Sequence, residues 1–351
     1  MRREGNSNPN NSEWTIIICC MNGLVLLQDR HKVFGMVRFV IWNPATKKCL
    51  KIPRPSNADD FEGHNNHFSG FGFDSVANDV KIMHGTAIAK QRLVGYIYSC
   101  NDGCWRRITP SNFLFRGHIV NYLNPVIAQG SPFWLCYRYC RKTERLVVMS
   151  FDVQRESFML LPIIGDSTGY IPYSTLNEYT LMNFRDSIAV MYWSTKVNFF
   201  RGTIWICVFN ERSDDWSKMS IGPLKPEENL RYGKPDWEKP GFVQCFRNGD
   251  ILFGGSAELY YVDLQNHTIK NLGKKEDLNY DVVHGYTESS FFIDGMQPFY
   301  DKENEVQFFF LRKTGEDIQK LWHSSASLRS ARQEEIQQYL CMRDKGAGGL
   351  G

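Results

Sequence analysis

Phe39-Val40-Ile41-Trp42-Asn43-Pro44-Ala45-Thr46-Lys47-Lys48-Cys49-Leu50 decides how the rest of this chain is read. A run of β-branched and aromatic residues ends in a polar residue, a short turn follows, and a large apolar residue marks a second strand. The unit recurs as Gly95-Tyr96-Ile97-Tyr98-Ser99 with Trp105, Val148-Met149-Ser150-Phe151-Asp152 with Phe158, Ile206-Cys207-Val208-Phe209-Asn210 with Trp216, and Leu259-Tyr260-Tyr261-Val262-Asp263 with Ile269. The polar-to-apolar gap is 7, 6, 6, 6 and 6 residues, and the apolar markers stand 55, 53, 58 and 53 apart.

Each copy is preceded by a second hairpin. The turn signals are Asn22-Gly23, Asn78-Asp79, Gly130-Ser131, Arg185-Asp186 and Asn248-Gly249, each between apolar runs. Two hairpins per period of about 50 residues make four antiparallel strands per unit, the pattern of a β-propeller with kelch-like spacing. A four-stranded blade cannot bury its own faces, so blades must stack around an axis. The expected fold is therefore all-β, with five clear blades and a partial or complete sixth. Tyr286–Ile293 and Val306–Leu311 supply strands for the sixth. Ile318, Leu321, Trp322, Leu328, Ile336, Tyr339 and Leu340 lie at loosely helical spacing and predict a short C-terminal helical tail. The expected division is a disordered polar N-terminus over 1–14, a propeller over 15–312, a helical tail over 313–343 and a disordered Gly-rich end over 344–351.

Composition agrees with this. The 351 residues are 42% hydrophobic, 23% charged and 14% aromatic, too apolar and aromatic for a disordered chain. The aromatics are expected to fill the space between blades. Lys+Arg 41 against Asp+Glu 38 is too even for a surface built to bind phosphates, so no nucleic-acid partner is expected. The apolar run from Trp14 to Leu27 is broken by Asn22-Gly23 and too short to span a bilayer, so no membrane partner is expected and the cytoplasm or nucleus is the expected location.

Ten cysteines are present, most inside apolar strand-like runs, and they read as buried free thiols. Cys100/Cys104 and Cys136/Cys140 have a spacing that zinc sites tolerate, but the first pair flanks an Asn101-Asp102-Gly103 turn and the second lies along a strand. His64 and His67, beside Asp59, Asp60 and Glu62, read as a solvated polar loop, with metal binding as the rival reading. No metal or cofactor is expected.

A family resemblance follows from the same residues. Ile41-Trp42-Asn43-Pro44-Ala45-Thr46-Lys47-Lys48, with Ile52-Pro53, resembles the "WNPaT+k…lP" element of plant F-box-associated interaction domains. Cys20-Met21-Asn22-Gly23-Leu24-Val25 is similar to that family's "sCNGLl" opening, with Met21 where Cys is usual. Phe71-Gly72-Phe73-Asp74 and Asn78-Asp79-Val80-Lys81-Ile82 resemble "fGyD…nDYKvv", with Val80 replacing Tyr. Phe151-Asp152, Glu156 and Phe158, then Trp205 with Trp216-Ser217-Lys218, then Glu288-Ser289, continue the series in family order. The resemblance implies the substrate-binding part of an F-box subunit of a cullin-based ubiquitin ligase. Family members usually begin with a three-helix F-box, and residues 1–14 contain no such stretch. The ligase adaptor is thus an expected partner only where an F-box stands upstream.

No nucleophile-elbow, zinc-protease, P-loop or dinucleotide-binding motif occurs, and no catalytic residue is assigned. The alternative to ligase coupling is an interaction or ligand-binding propeller without it; a propeller enzyme comes third. The expected recognition surface is the face carrying the long blade-to-blade connections, about 54–70, 110–124, 163–178, 222–241 and 273–285. Its candidate anchors for a target protein are Phe61, His64, His67, Phe68, Phe113, Arg116, Tyr170, Tyr173, Arg231, Tyr232 and Trp237.

Overall fold

The computed structural model describes residues 14–30, 37–55, 67–88, 92–108, 117–119, 125–140, 143–162, 164, 179–185, 187–193, 204–221, 225–226, 242–245, 249–254, 258–274, 283–287, 289–298, 308–314, 317–323 and 338–343. Strands and turns account for their regular structure, and no helix occurs among them. Blade 1 holds β1 (Trp14–Met21), β2 (Leu24–Arg30), β3 (Val37–Asn43) and β4 (Lys48–Ile52), paired in that order. Blade 2 holds β5 (His67–Asp74), β6 (Asp79–Ile88), β7 (Arg92–Ser99) and β8 (Cys104–Ile108). After the short β9 (Gly117–Ile119), blade 3 holds β10 (Val126–Ala128), β11 (Ser131–Cys140), β12 (Thr143–Asp152) and β13 (Ser157–Leu160). Blade 4 holds β14 (Tyr179–Phe184), β15 (Ser187–Trp193), β16 (Ile204–Asn210) and β17 (Asp215–Ile221). Past β18 (Lys225–Pro226), blade 5 holds β19 (Phe242–Cys245), β20 (Ile251–Gly254), β21 (Glu258–Asp263) and β22 (Thr268–Lys274).

The polar residue that ends each repeat has a local cause. Its side-chain oxygen accepts hydrogen bonds from N–H groups of the turn that follows: Thr46 to Asn43, Asp102 to Ser99, Gln154 and Arg155 to Asp152, Arg212 to Asn210, and Gln265 and Asn266 to Asp263. Four residues after it stands a residue at positive φ: Lys47, Gly103, Glu156, Asp214 and His267. The apolar marker then pairs with the residue just before the polar one: Tyr98 with Trp105, Phe151 with Phe158, Phe209 with Trp216, and Val262 with Ile269. In blade 1 that register joins Trp42 to Cys49, so the equivalent marker is the buried Cys49 and not Leu50. The odd gap of seven disappears.

The core lies between blades. Ile18, Ile41, Phe71 and Ile82 pack blade 1 on blade 2; Phe68, Trp134, Met149 and Phe158 pack blade 2 on blade 3. Leu135, Val148, Ile188 and Val190 join blades 3 and 4, and Met191, Ile206, Phe253 and Tyr260 join blades 4 and 5. Gly72 permits one of these approaches, since a Cβ there would lie 2.5 Å from the Gly130 carbonyl oxygen. The Phe73 amide donates to that same oxygen at 2.9 Å.

Sequence and structure differ at the C-terminal end. The helical tail expected over 313–343 is replaced, in its described residues, by β25 (Phe308–Thr314), β26 (Asp317–His323) and β27 (Gln338–Arg343). With β23 (Val283–Thr287) these form a sixth sheet in the order β23-β27-β25-β26. The described strands thus extend from Trp14 to Arg343. The reason is pairing. Thr314 pairs with Asp317, and β25 is flanked by partners on both sides, which overrides a weak helical spacing. Between β23 and β25, residues 289–298 cross to blade 1, where β24 (Gln297–Pro298) pairs with β4. The ends 1–13 and 344–351, expected to be disordered, lie outside the described residues.

Candidate functional site

The propeller has two unlike faces. The connections inside each β1-β2-type and β3-β4-type hairpin are short and share one face. The connections from one blade to the next leave from the other. Phe61, His64, Phe113, Arg116, Tyr170, Tyr173, Arg231, Tyr232 and Trp237 lie outside the described residues.

Two expected anchors can be placed. Phe68 is 0% exposed and packs edge-on against Trp134, with ring centroids 5.3 Å apart, so it is core and not a surface anchor. The correction has a simple cause: β5 begins at His67, and from there alternate side chains turn into the interface between blades. His67 is half-buried and stacks on His84 at 5.7 Å. His84 Nδ1 lies 2.9 Å from Ser69 Oγ, which donates to Gln28 Oε1 at 3.1 Å. This buried polar cluster ties blade 1 to blade 2.

The charged residues of the family-like motifs come together as a second tie. Lys81 Nζ donates to Asp74 Oδ2 at 2.8 Å, to Glu156 Oε1 at 2.8 Å and to the Val153 carbonyl at 3.1 Å. Arg106 pairs with the other Glu156 oxygen. One ammonium thus joins the first turn of blade 2 to the second turn of blade 3. The Lys81 hydrogen bond, with the Ala77 amide behind it, holds the Asp74 carboxyl below its ordinary range. These residues hold the fold together; they do not make a reactive group.

The cysteines are packing residues too. Cys19, Cys49, Cys136, Cys207 and Cys245 are buried free thiols, whereas Cys104 is exposed. Burial pushes the Cys19 and Cys136 thiols up, and it pushes Cys100 up to about 12, with Asp79 adding to the effect. Among the described residues no cluster of three His, Cys, Asp or Glu side chains is placed to hold a metal ion. No helix among them is long and apolar enough to cross a membrane.

The candidate site is a cavity of about 1080 Å³ on the short-turn face, centred on blade 3. Its apolar walls come from facing blades: Phe133, Met159 and Leu161 from blade 3, Ile188 and Phe209 from blade 4. Phe133 pairs with Ser150 and Ser150 with Met159, so the three side chains stand on one face of the sheet. Asp152, Glu211 and Asp214, from the second turns of blades 3 and 4, stand at the rim. Arg138 is the only cation among the described lining residues. None of these was an expected anchor. The turn motif marked Asp152 as a turn residue, but only the juxtaposition of two blades shows that three carboxylates share one mouth.

The sequence model of a family described as "F-box associated beta propeller domain" matches residues 3–294. An F-box/kelch-repeat protein of Arabidopsis thaliana is 33% identical over 97 residues, covering 26% of this chain and 20% of that protein. The chain therefore spans only about a fifth of that relative's length. Among solved structures, the α-L-arabinofuranosidase Arb93A of Fusarium graminearum has a TM-score of 0.45 at 8% identity, covering 96% of this chain and 94% of that one. The α-L-arabinanase of Penicillium chrysogenum has a TM-score of 0.44 at 9% identity, covering 97% and 95%. The polysaccharide lyase Uly1 has 0.44 at 10%, covering 97% and 91%. Likeness at this level says nothing about chemistry.

Proposed function

This chain belongs to the F-box-associated β-propeller family, and on that premise we propose that it is the target-recognition part of an F-box-type subunit of a cullin-based ubiquitin ligase. The observation that carries the reading is the match over residues 3–294, which takes in all five blades. The physical argument agrees. A stack of interlocked blades is a rigid frame, and rigid frames suit recognition by the loops they carry. In this reading the blade-to-blade connections engage a target protein, an F-box supplied elsewhere in the polypeptide meets the adaptor, and other subunits transfer ubiquitin. The propeller itself performs no chemistry, and it acts in the cytoplasm or nucleus.

The test is affinity purification of the tagged full-length product from plant cells, with a variant lacking 222–241 beside it. Adaptor and cullin should accompany both forms, and the target only the intact one. A full-length product that never carries the adaptor overturns the ligase role. A target retained equally by both forms removes that connection from the recognition surface.

A further inference from the structure

The features of the cavity on the short-turn face point to a ligand of its own. Ser150 is 1% exposed, lies in the cavity wall, and its hydroxyl has no hydrogen-bond partner among the described residues. A buried hydroxyl left unpaired is costly, and a polar group entering the cavity would satisfy it. Beside it, Met159 is 42% exposed, an apolar surface left open next to the walls formed by Phe133 and Phe209. At the mouth stand Asp152, Glu211 and Asp214. Asp152 uses Oδ1 to cap its own turn, while among the described residues Oδ2 is approached only by Arg155, at 3.9 Å. Glu211 and Asp214 are exposed.

We propose that this cavity is a second recognition site, which binds a segment of a partner protein carrying an apolar side chain next to lysine or arginine. The apolar side chain enters between Phe133, Met159 and Phe209, a polar group of the segment meets the Ser150 hydroxyl, and the cation meets the carboxylate rim. Charge complementarity selects this occupant: three carboxylates against one guanidinium favour a cation at the mouth. The site is separate from the ligase reading, because none of the lining residues it uses belongs to the long connections.

Fluorescence anisotropy of the full chain with two labelled hexapeptides, one alternating leucine and lysine and one alternating leucine and glutamate, tests the proposal. The lysine peptide should bind at least about tenfold tighter at low ionic strength, with the gap closing as salt screens the rim. The combined variant D152N/E211Q/D214N should lose about tenfold for the lysine peptide at unchanged melting temperature. Should that variant not fold, Met159→Arg, at an exposed position, should give the same loss. The ¹³C-methyl resonance of Met159 should shift on titration. Equal affinity for the two peptides, a folded variant that binds the lysine peptide undiminished, or a Met159 methyl that does not move overturns the proposal. Adaptor capture is not read by any of these measurements, so a failure here and a failure of the ligase reading are distinguishable.

Discussion

At the residue scale, Lys81 concentrates the most consequence in one side chain. It is buried with two carboxylates and a carbonyl around its ammonium. Lys81→Met leaves Asp74 and Glu156 without their shared cation, and breaking a buried pair in this way costs about 3–5 kcal/mol. Urea unfolding should show that loss as a lower midpoint. The Asp74 carboxyl is held below its ordinary range in the folded state, so its contribution is present above the unfolded value and disappears as pH falls through the folded one. Stability should therefore decline on acidification below about pH 4, and less steeply in Lys81→Met. Thiol chemistry gives an independent check on packing. Cys104 should react with iodoacetamide in the native protein, whereas Cys19 and Cys136 should be modified only after unfolding, as read by peptide mass mapping.

At the element scale, the blades are tied by a device used twice. The Trp105 indole of blade 2 donates to the Pro53 carbonyl just after blade 1, and the Trp216 indole of blade 4 donates to the Pro162 carbonyl just after blade 3, the latter at 2.9 Å. Trp105→Phe and Trp216→Phe should each cost about 1 kcal/mol, and their effects should add because the two latches share no partner. Thermal unfolding of the single and double variants checks this. A different tie secures blade 1. Asn43 Nδ2 donates to the carbonyls of Ser289 and Phe291, at 3.0 and 2.8 Å, and a Cβ on Gly23 would fall 2.4 Å from Ser289 Cβ. Gly23 also has φ +76. Asn43→Ala and Gly23→Ala should each destabilise by about 1–3 kcal/mol, with loosening of 289–298 read by hydrogen exchange. The hairpins and the polar residue that ends each repeat were legible in the sequence, because a turn of a few residues is decided by those residues. The partners of Asn43 and of both tryptophans were not legible, because they lie 52 to 248 positions away.

At the scale of the whole molecule, the sixth sheet is the open flank of the expectation and the most exposed to test. β23 neighbours both β19 and β1, so it stands between blade 5 and blade 1. A chain ending at residue 280 would uncover the sides of both blades. It should lose cooperative unfolding and elute as aggregate in size-exclusion chromatography, whereas the full chain should be monodisperse. If the shortened chain unfolds cooperatively at the same midpoint, the sixth sheet contributes nothing to the ring.

The amino-acid sequence determined what is local and periodic: the paired hairpins, the 53–58-residue spacing, the aromatic filling between sheets and, through its motifs, the family. The tertiary structure decided everything that depends on which blade faces which. It turned Phe68 from surface anchor to core, moved the blade 1 marker to Cys49, and turned the expected helical tail into paired strands. It also gathered Ser150, Met159 and three carboxylates into one cavity. Turn geometry and strand period follow from neighbours in sequence. A cavity between two sheets follows from the stacking of distant segments, and no local pattern encodes that stacking.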